Sequence, residues 1–329
     1  MRIHEYEMRT GITRTPEFER KRLACFAVNA GLKCDHDCAY CSSAAILRRH
    51  PIFKKVGENP FGQGYCIVDP ATPDRVARDA ARMHDRGLVQ LCTLTDAWSP
   101  EAQRHNLGRR CLQALLCQPG WSVRILTKNA AVRNDFDLIA QHKDRALVGL
   151  SITATSDKQH LISILEPNAS SIDDRMATLV TASLAGLRTY AMFCPLLPGI
   201  ADSLEQIDGM VKFAADCHVE EVFVEPVNAR GSGLQLCQEA LEQHGYQNEA
   251  NAIERVRHQD GWSNYVLQLI RNVQQSMRKY LDTSKLRFLL YPSRLLPEHT
   301  EQIRTDDAGV IWLGKEQSNH PTQPVSLQQ

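Results

Sequence analysis

The sequence has no surplus of either charge. Its 329 residues carry 38 Lys and Arg against 38 Asp and Glu, a formal net charge of +0. That excludes a coat of positive charge that binds nucleic acid by bulk electrostatics, though not a local basic groove. Long apolar runs are also missing. None approaches the roughly 18 residues that a membrane helix needs. The opening stretch, MRIHEYEMRTGITRTPEFERKR, is charged and lacks the apolar core of a secretory signal. The cytoplasm is therefore the expected location, and no membrane contact is expected. No solenoid-type repeat is visible. What is present is the balance of an ordinary globular protein, with 43% hydrophobic and 23% charged residues. The length suits one large α/β barrel with an extension, or two domains. The 11 cysteines are an odd number in a long chain. They read as reduced thiols or metal ligands, because disulfide frameworks belong to small secreted domains.

Six short segments rich in apolar and β-branched residues recur along the chain. They are LACFAVN (23–29), VQLCTLT (89–95), WSVRILT (121–127), ALVGLSIT (146–153), RTYAMFC (188–194) and VEEVFVEPV (219–227). Helical patterns separate most of them. One begins at Thr72 and Pro73 and ends at Gly87, the next begins at Ser99 and Pro100, and a third ends at Gly186. Strand then helix, repeated, predicts parallel strands with right-handed crossovers. Six such units predict an α/β fold built as a partial, TIM-like (β/α)6 barrel. A doubly wound open sheet competes, since periodicity alone does not separate the two. The expected organisation is an N-terminal segment 1–22, the barrel 23–231, a mixed helical and strand extension 232–314, and a disordered polar tail 315–329. Within the extension, Tyr265, Leu269, Ile270, Val273, Met277 and Tyr280 mark one helical apolar face.

The strongest signal follows the first strand. NAGLKCDHDCAYCSS places Cys34, Cys38 and Cys41 within eight residues. Three unrelated buried thiols fit poorly in a loop that also holds Asp35, His36 and Asp37. A structural zinc site wants four ligands, usually as two separated pairs. No second pair follows, and His36 lies awkwardly inside the triplet. Three cysteines without a fourth suit a 4Fe–4S cluster with one iron left open, since clusters are normally held by four thiolates.

The Cys-x3-Cys-x2-Cys triplet, Tyr40 just before the last cysteine, and the position after the first strand of a βα repeat resemble the radical SAM superfamily. The resemblance implies a 4Fe–4S cluster on Cys34, Cys38 and Cys41 whose open iron binds S-adenosylmethionine. It implies reductive cleavage to a 5′-deoxyadenosyl radical, with a flavodoxin- or ferredoxin-like reductant as partner. The Gly-Gly-Glu segment of many members is absent. In its place, Thr95-Asp96-Ala97-Trp98-Ser99-Pro100 is similar to the spore photoproduct lyase-like, or DNA repair photolyase, group. RILTK (124–128), GLSIT (149–153), ILEP (164–167), CPLLPGIADS (194–203) and EPVNARG (225–231) resemble further segments of that group, so the likeness spans about residues 23–231.

The resemblance implies roles for individual residues. Tyr40, Lys128 and Ser151 would contact S-adenosylmethionine, the latter two at its carboxylate or ribose. Thr95 and Asp96 would lie near its amino group, and Arg175 would pair with its carboxylate. In spore photoproduct lyase a donor cysteine stands three residues before the motif Asp; here Cys92 stands four before Asp96. One step along a strand reverses the side-chain face. Cys92 is therefore expected to turn away from the cavity, and Cys194 is a second candidate hydrogen donor. Arg48, Arg49, Lys54 and Lys55, with the resemblance, suggest a nucleic-acid substrate. A base in a duplex would have to be extruded to react. A protein or small-molecule substrate is the alternative, and a non-catalytic iron–sulfur or zinc module is a distant third.

Overall fold

The computed structural model describes residues 1–229 and 231–314. The expected tail at 315–329, and Arg230 within the EPVNARG segment, lie outside the described residues. Twelve strands are present among them: β1 Arg2–Glu5, β2 Thr13–Arg14, β3 Phe26–Val28, β4 Gly31–Lys33, β5 Tyr65–Val68, β6 Leu88–Leu91, β7 Ser122–Thr127, β8 Ala146–Ser151, β9 Thr189–Leu196, β10 Val222–Pro226, β11 Leu286–Leu290 and β12 Val310–Trp312. All six strands expected from the sequence form, as β3 and β6 to β10.

The large sheet runs in the order β12-β11-β10-β9-β8-β7-β6-β3-β2. Every neighbouring pair is parallel except β2 with β3. The sheet does not close on itself, which is the architecture of a partial barrel. The parallel sheet runs on past the six expected strands. β11 pairs in parallel with β10, and β12 with β11, so the segment after Gly231 continues the sheet. Its long helix, Gln259–Tyr280, is the crossover that makes this feasible, because a parallel neighbour needs a long connection. Its buried side carries Tyr265, Leu269, Ile270, Val273 and Met277, as the apolar spacing predicts.

Alternation along the strands sorts the side chains into two layers. Val123 and Ile125, Val148 and Leu150, Ala191 and Phe193, and Val222 and Val224 join the core between sheet and helices. The residues between them, including Leu147, Tyr190, Met192 and Phe223, form a separate interior cluster. The interior is tight. A Cβ on Gly149 would stand 2.2 Å from the Tyr190 ring, whose hydroxyl donates to the Ile125 carbonyl at 2.8 Å. Period two also puts Lys128, Ser151, Cys194 and Glu225 on this inner face, at the C-terminal ends of their strands.

Two features fall outside the sequence expectations. A small sheet, β1-β5-β4, forms from the N-terminal segment and the long stretch around the cysteines. The expected helix beginning at Ser99 is broken into Pro100–Arg104 and Leu107–Leu116 by Asn106, whose φ is +50°. The break lets Gly108 approach Trp98, where a Cβ would come within 2.5 Å of the indole.

Candidate active site

The cysteine loop follows β4 and is fastened by its own acids. Asp35, His36 and Asp37 are buried rather than forming a solvated surface. Asp35 Oδ2 accepts from the Glu101 amide at 2.8 Å, and Asp37 Oδ2 accepts from the Gly64 amide at 2.7 Å. Lys33 Nζ lies 3.4 Å from Asp37 Oδ1. These contacts hold Cys34, Cys38 and Cys41 at the mouth of the barrel as half-buried free thiols. They lie within electrostatic reach of one another. Burial, then the neighbouring Cys41 and Cys38, push the Cys34 thiol well up. Burial, then Glu166, pushes Cys38 up to about 12. Among the described residues, no three His, Cys, Asp or Glu side chains converge closely enough to share a single metal ion.

Beside the loop, a buried polar network joins residues from six segments. Lys128 Nζ donates to Ser151 Oγ at 2.7 Å and to the Cys194 carbonyl at 3.2 Å, and lies 3.4 Å from Glu166 Oε1. It stands 5.5 Å from the centre of the Tyr40 ring. Tyr40 Oη donates to Glu166, as does Thr153 Oγ1 at 2.9 Å. Arg175 donates to the other Glu166 oxygen. Burial alone would raise the Glu166 carboxyl; the Arg175 guanidinium and the Lys128 ammonium outweigh it and hold it down to about 2. Tyr40, Lys128, Ser151 and Arg175 are thus brought together.

Arg175 has a different partner from the one expected. Its Nε donates to the Ser170 carbonyl at 2.8 Å, its Nη1 to the Ser151 carbonyl at 3.1 Å, and its Nη2 to Glu166. With these donors engaged and 1% of the residue exposed, it holds Glu166 rather than a ligand carboxylate. Asp96 likewise faces protein donors. Its carboxylate accepts from Thr127 Oγ1 at 2.8 and 2.9 Å, the Lys128 amide at 2.9 Å and the Trp98 amide at 2.9 Å. Thr95 Oγ1 accepts from the Ala30 amide at 3.2 Å and donates to Cys92 Sγ at 3.4 Å.

The two candidate donor thiols separate. Cys92 lies just past β6 with φ +67°, a left-handed backbone that ends the strand's alternation. Its side chain joins the layer between sheet and helices, within electrostatic reach of Cys111, and burial raises its thiol to about 12. The turn away from the interior comes from that left-handed residue, not from a one-residue register step. Cys194 packs against the interior cluster, its Sγ 3.6 Å from Glu225 Oε2. Glu225 in turn pairs with Lys21 Nζ at 3.1 Å, which enters from the N-terminal segment.

No protein-family profile matches the chain. An uncharacterised protein of Acidianus two-tailed virus is 27% identical over 223 residues, 66% of this chain and 71% of that protein. An uncharacterised protein of Mycobacterium tuberculosis strain H37Rv is 27% identical over 211 residues, which is 63% of this chain but only 60% of that longer protein. Among solved structures, a spore photoproduct lyase with a Cys→Ser substitution superimposes over 84% of this chain and 79% of its own, with TM-score 0.59 at 14% identity. Another, with bound AdoMet and a dinucleoside spore photoproduct, gives TM-score 0.54 at 13% identity.

The chain shares the fold of spore photoproduct lyase. Within this fold, sequence reasoning missed the carboxylate that organises the site. Glu166 lies in the quoted ILEP segment, and its signal was a lone acid in an otherwise apolar run. Thr153 and the Lys21–Glu225 pair were also missed, because their partners are distant in sequence. Among the described residues, no helix is long and apolar enough to cross a membrane.

Proposed function

We propose that this protein is a radical SAM enzyme, holding a 4Fe–4S cluster on Cys34, Cys38 and Cys41 and binding S-adenosylmethionine beside it. The observation that carries the reading is one juxtaposition. Three free thiols on one loop stand next to the Tyr40–Lys128–Ser151 group at the C-terminal mouth of a partial barrel, where such folds place their chemistry. The donor set fits the cluster. A structural zinc wants four ligands, and the loop offers three thiols. The three thiols lie within electrostatic reach of one another, and three thiolates without a fourth suit a 4Fe–4S centre with one iron left open. Such a centre supplies the electron that cleaves S-adenosylmethionine to methionine and a 5′-deoxyadenosyl radical, which takes hydrogen from a substrate.

The chain's own residues bind, orient and shield. Lys128 and Ser151 present a cation and a hydroxyl toward the ligand's carboxylate or ribose, and Glu166 sets the position of Lys128. Tyr40 supplies an apolar wall that excludes water. Cys194 is the interior thiol placed to return hydrogen, and Cys92 is not. A one-electron reductant of the flavodoxin or ferredoxin class is required. Arg48, Arg49, Lys54 and Lys55 are exposed and make no ion pair with a described residue, which supports a nucleic-acid phosphate backbone as the substrate's contact.

Anaerobic reconstitution tests the reading. The wild type should hold close to four irons and four sulfides per chain and release 5′-deoxyadenosine under reduction. The triple Cys34→Ala, Cys38→Ala, Cys41→Ala variant should do neither. Undiminished iron in that variant would remove the assignment.

A further inference from the structure

Tyr265 sits on the apolar face of the long helix Gln259–Tyr280 and is buried, with 7% of the residue exposed. A buried tyrosine still needs a partner for its hydroxyl. Here the hydroxyl finds two, on different strand ends. It donates to the Leu196 carbonyl, the last residue of β9, and accepts at 3.3 Å from the Val227 amide just past β10. Trp262 of the same helix donates its indole N–H to the Val227 carbonyl at 3.4 Å.

The β9–β10 ladder breaks at this point. The strands pair in step from Val222 with Ala191 to Val224 with Phe193, and then Pro226 pairs with Leu196. β9 therefore carries one residue more than β10 over this step. Pro195 and Pro226 also bring no N–H to the ladder. The Tyr265 hydroxyl stands in for the missing rung, as acceptor for one strand end and donor for the other. The segment after Gly231 supplies it, not the two strands themselves. Cys194 and Glu225 lie in the gap. The Cys194 carbonyl accepts from Lys128 Nζ at 3.2 Å and from Ser151 Oγ at 2.8 Å. Two residues on, the Leu196 carbonyl accepts from Tyr265. Such bulges re-aim side chains beside active sites, and this one is held in shape by a hydroxyl from outside the ladder.

We infer that Tyr265 is a positioning residue: its hydroxyl bridges the ends of β9 and β10 and so fixes the Cys194 carbonyl against which Lys128 and Ser151 are set for S-adenosylmethionine. This rests on the proposed function above. The C-terminal extension thereby takes part in the site through the backbone of the sheet.

The test uses the full chain, reconstituted anaerobically. Iron and sulfide are counted for each variant, dissociation constants for S-adenosylmethionine are measured by calorimetry, and hydrogen exchange is followed at the Val227 amide. The Tyr265→Phe variant should keep its iron and exchange faster at Val227. It should bind S-adenosylmethionine about tenfold more weakly, the worth of about one hydrogen bond. Tyr190→Phe is the control for a mere loss of stability. It also removes a buried hydroxyl, the one bonded to the Ile125 carbonyl at 2.8 Å, but at the opposite end of β9. That variant should melt at a lower temperature and bind S-adenosylmethionine as the wild type does. Unchanged affinity in Tyr265→Phe, or an equal loss in Tyr190→Phe, would overturn the inference. If Tyr265→Phe fails to fold, the wild type carries the comparison. Its Val227 amide should exchange as slowly as a buried ladder amide, and more slowly still with S-adenosylmethionine bound. Exchange at the rate of an open loop, or no response to the ligand, would overturn the inference. A wild type that takes up no cluster, or binds no S-adenosylmethionine, would remove the functional reading itself and the inference with it.

Discussion

Replacing Glu166 by Gln keeps the shape of the side chain and removes its charge. The structure makes this an expensive change. The Glu166 side chain is 0% exposed and that of its partner Arg175 1%. Lys128 and Tyr40 also depend on the same carboxylate. The substitution leaves the Arg175 guanidinium buried without a counter-charge, which costs about 3–5 kcal/mol when one partner of such a pair is removed. A second route gives a similar size. The carboxyl is held at about 2 against an ordinary 4.5. That gap, at about 1.4 kcal/mol per pH unit, is about 3 kcal/mol. Urea unfolding of the cluster-free protein reads it directly. With a slope of about 3 kcal/mol/M, the midpoint should fall by about 1 M. The sign with pH is fixed. A carboxyl lowered by folding contributes stability above its unfolded pKa and loses it as pH falls toward the folded value. The gap between wild type and variant should therefore be full at neutral pH. It should shrink by about 1.4 kcal/mol for each pH unit below about 4.5. Adding Arg175→Met should recover part of the loss, because the orphaned cation goes too. A deficit below about 1 kcal/mol at neutral pH, or one that does not change on acidification, would refute the reasoning.

Other expectations follow from the same geometry. Lys128→Ala and Ser151→Ala should each weaken S-adenosylmethionine binding by about tenfold in calorimetry while iron content stays at the wild-type level; unchanged affinity in both would remove their ligand role. Cys92→Ala should leave the distribution of radical products as in the wild type, whereas Cys194→Ala should alter it, with mass spectrometry of the products deciding between the two thiols. Gly149→Ala drives a Cβ into the buried Tyr190 ring and should cost at least about 3 kcal/mol, seen as a large drop in melting temperature or as insoluble protein.

The sequence alone determined the strand–helix repeat, because apolar strands and proline-started helices are local patterns with their own periods. It also determined the cysteine loop, since three thiols within eight residues are neighbours whatever the rest of the chain does. Lys128 and Ser151 were legible because each closes a strand, and residues there share the mouth of a barrel. Tertiary structure decided everything that depended on distant partners. β11 and β12 read as a separate extension, for nothing local says which edge a strand will join; the fold sets β11 on the edge of β10 and β12 on β11. Arg175 read as a ligand-facing cation until the fold set Glu166 against it. Asp35 and Asp37 read as solvated polarity, yet the small β1-β5-β4 sheet and the start of the helix at Pro100 bury them as acceptors of backbone amides. The side to which Cys92 points depended on a single left-handed residue, and a backbone dihedral at a non-glycine position leaves no mark in the sequence.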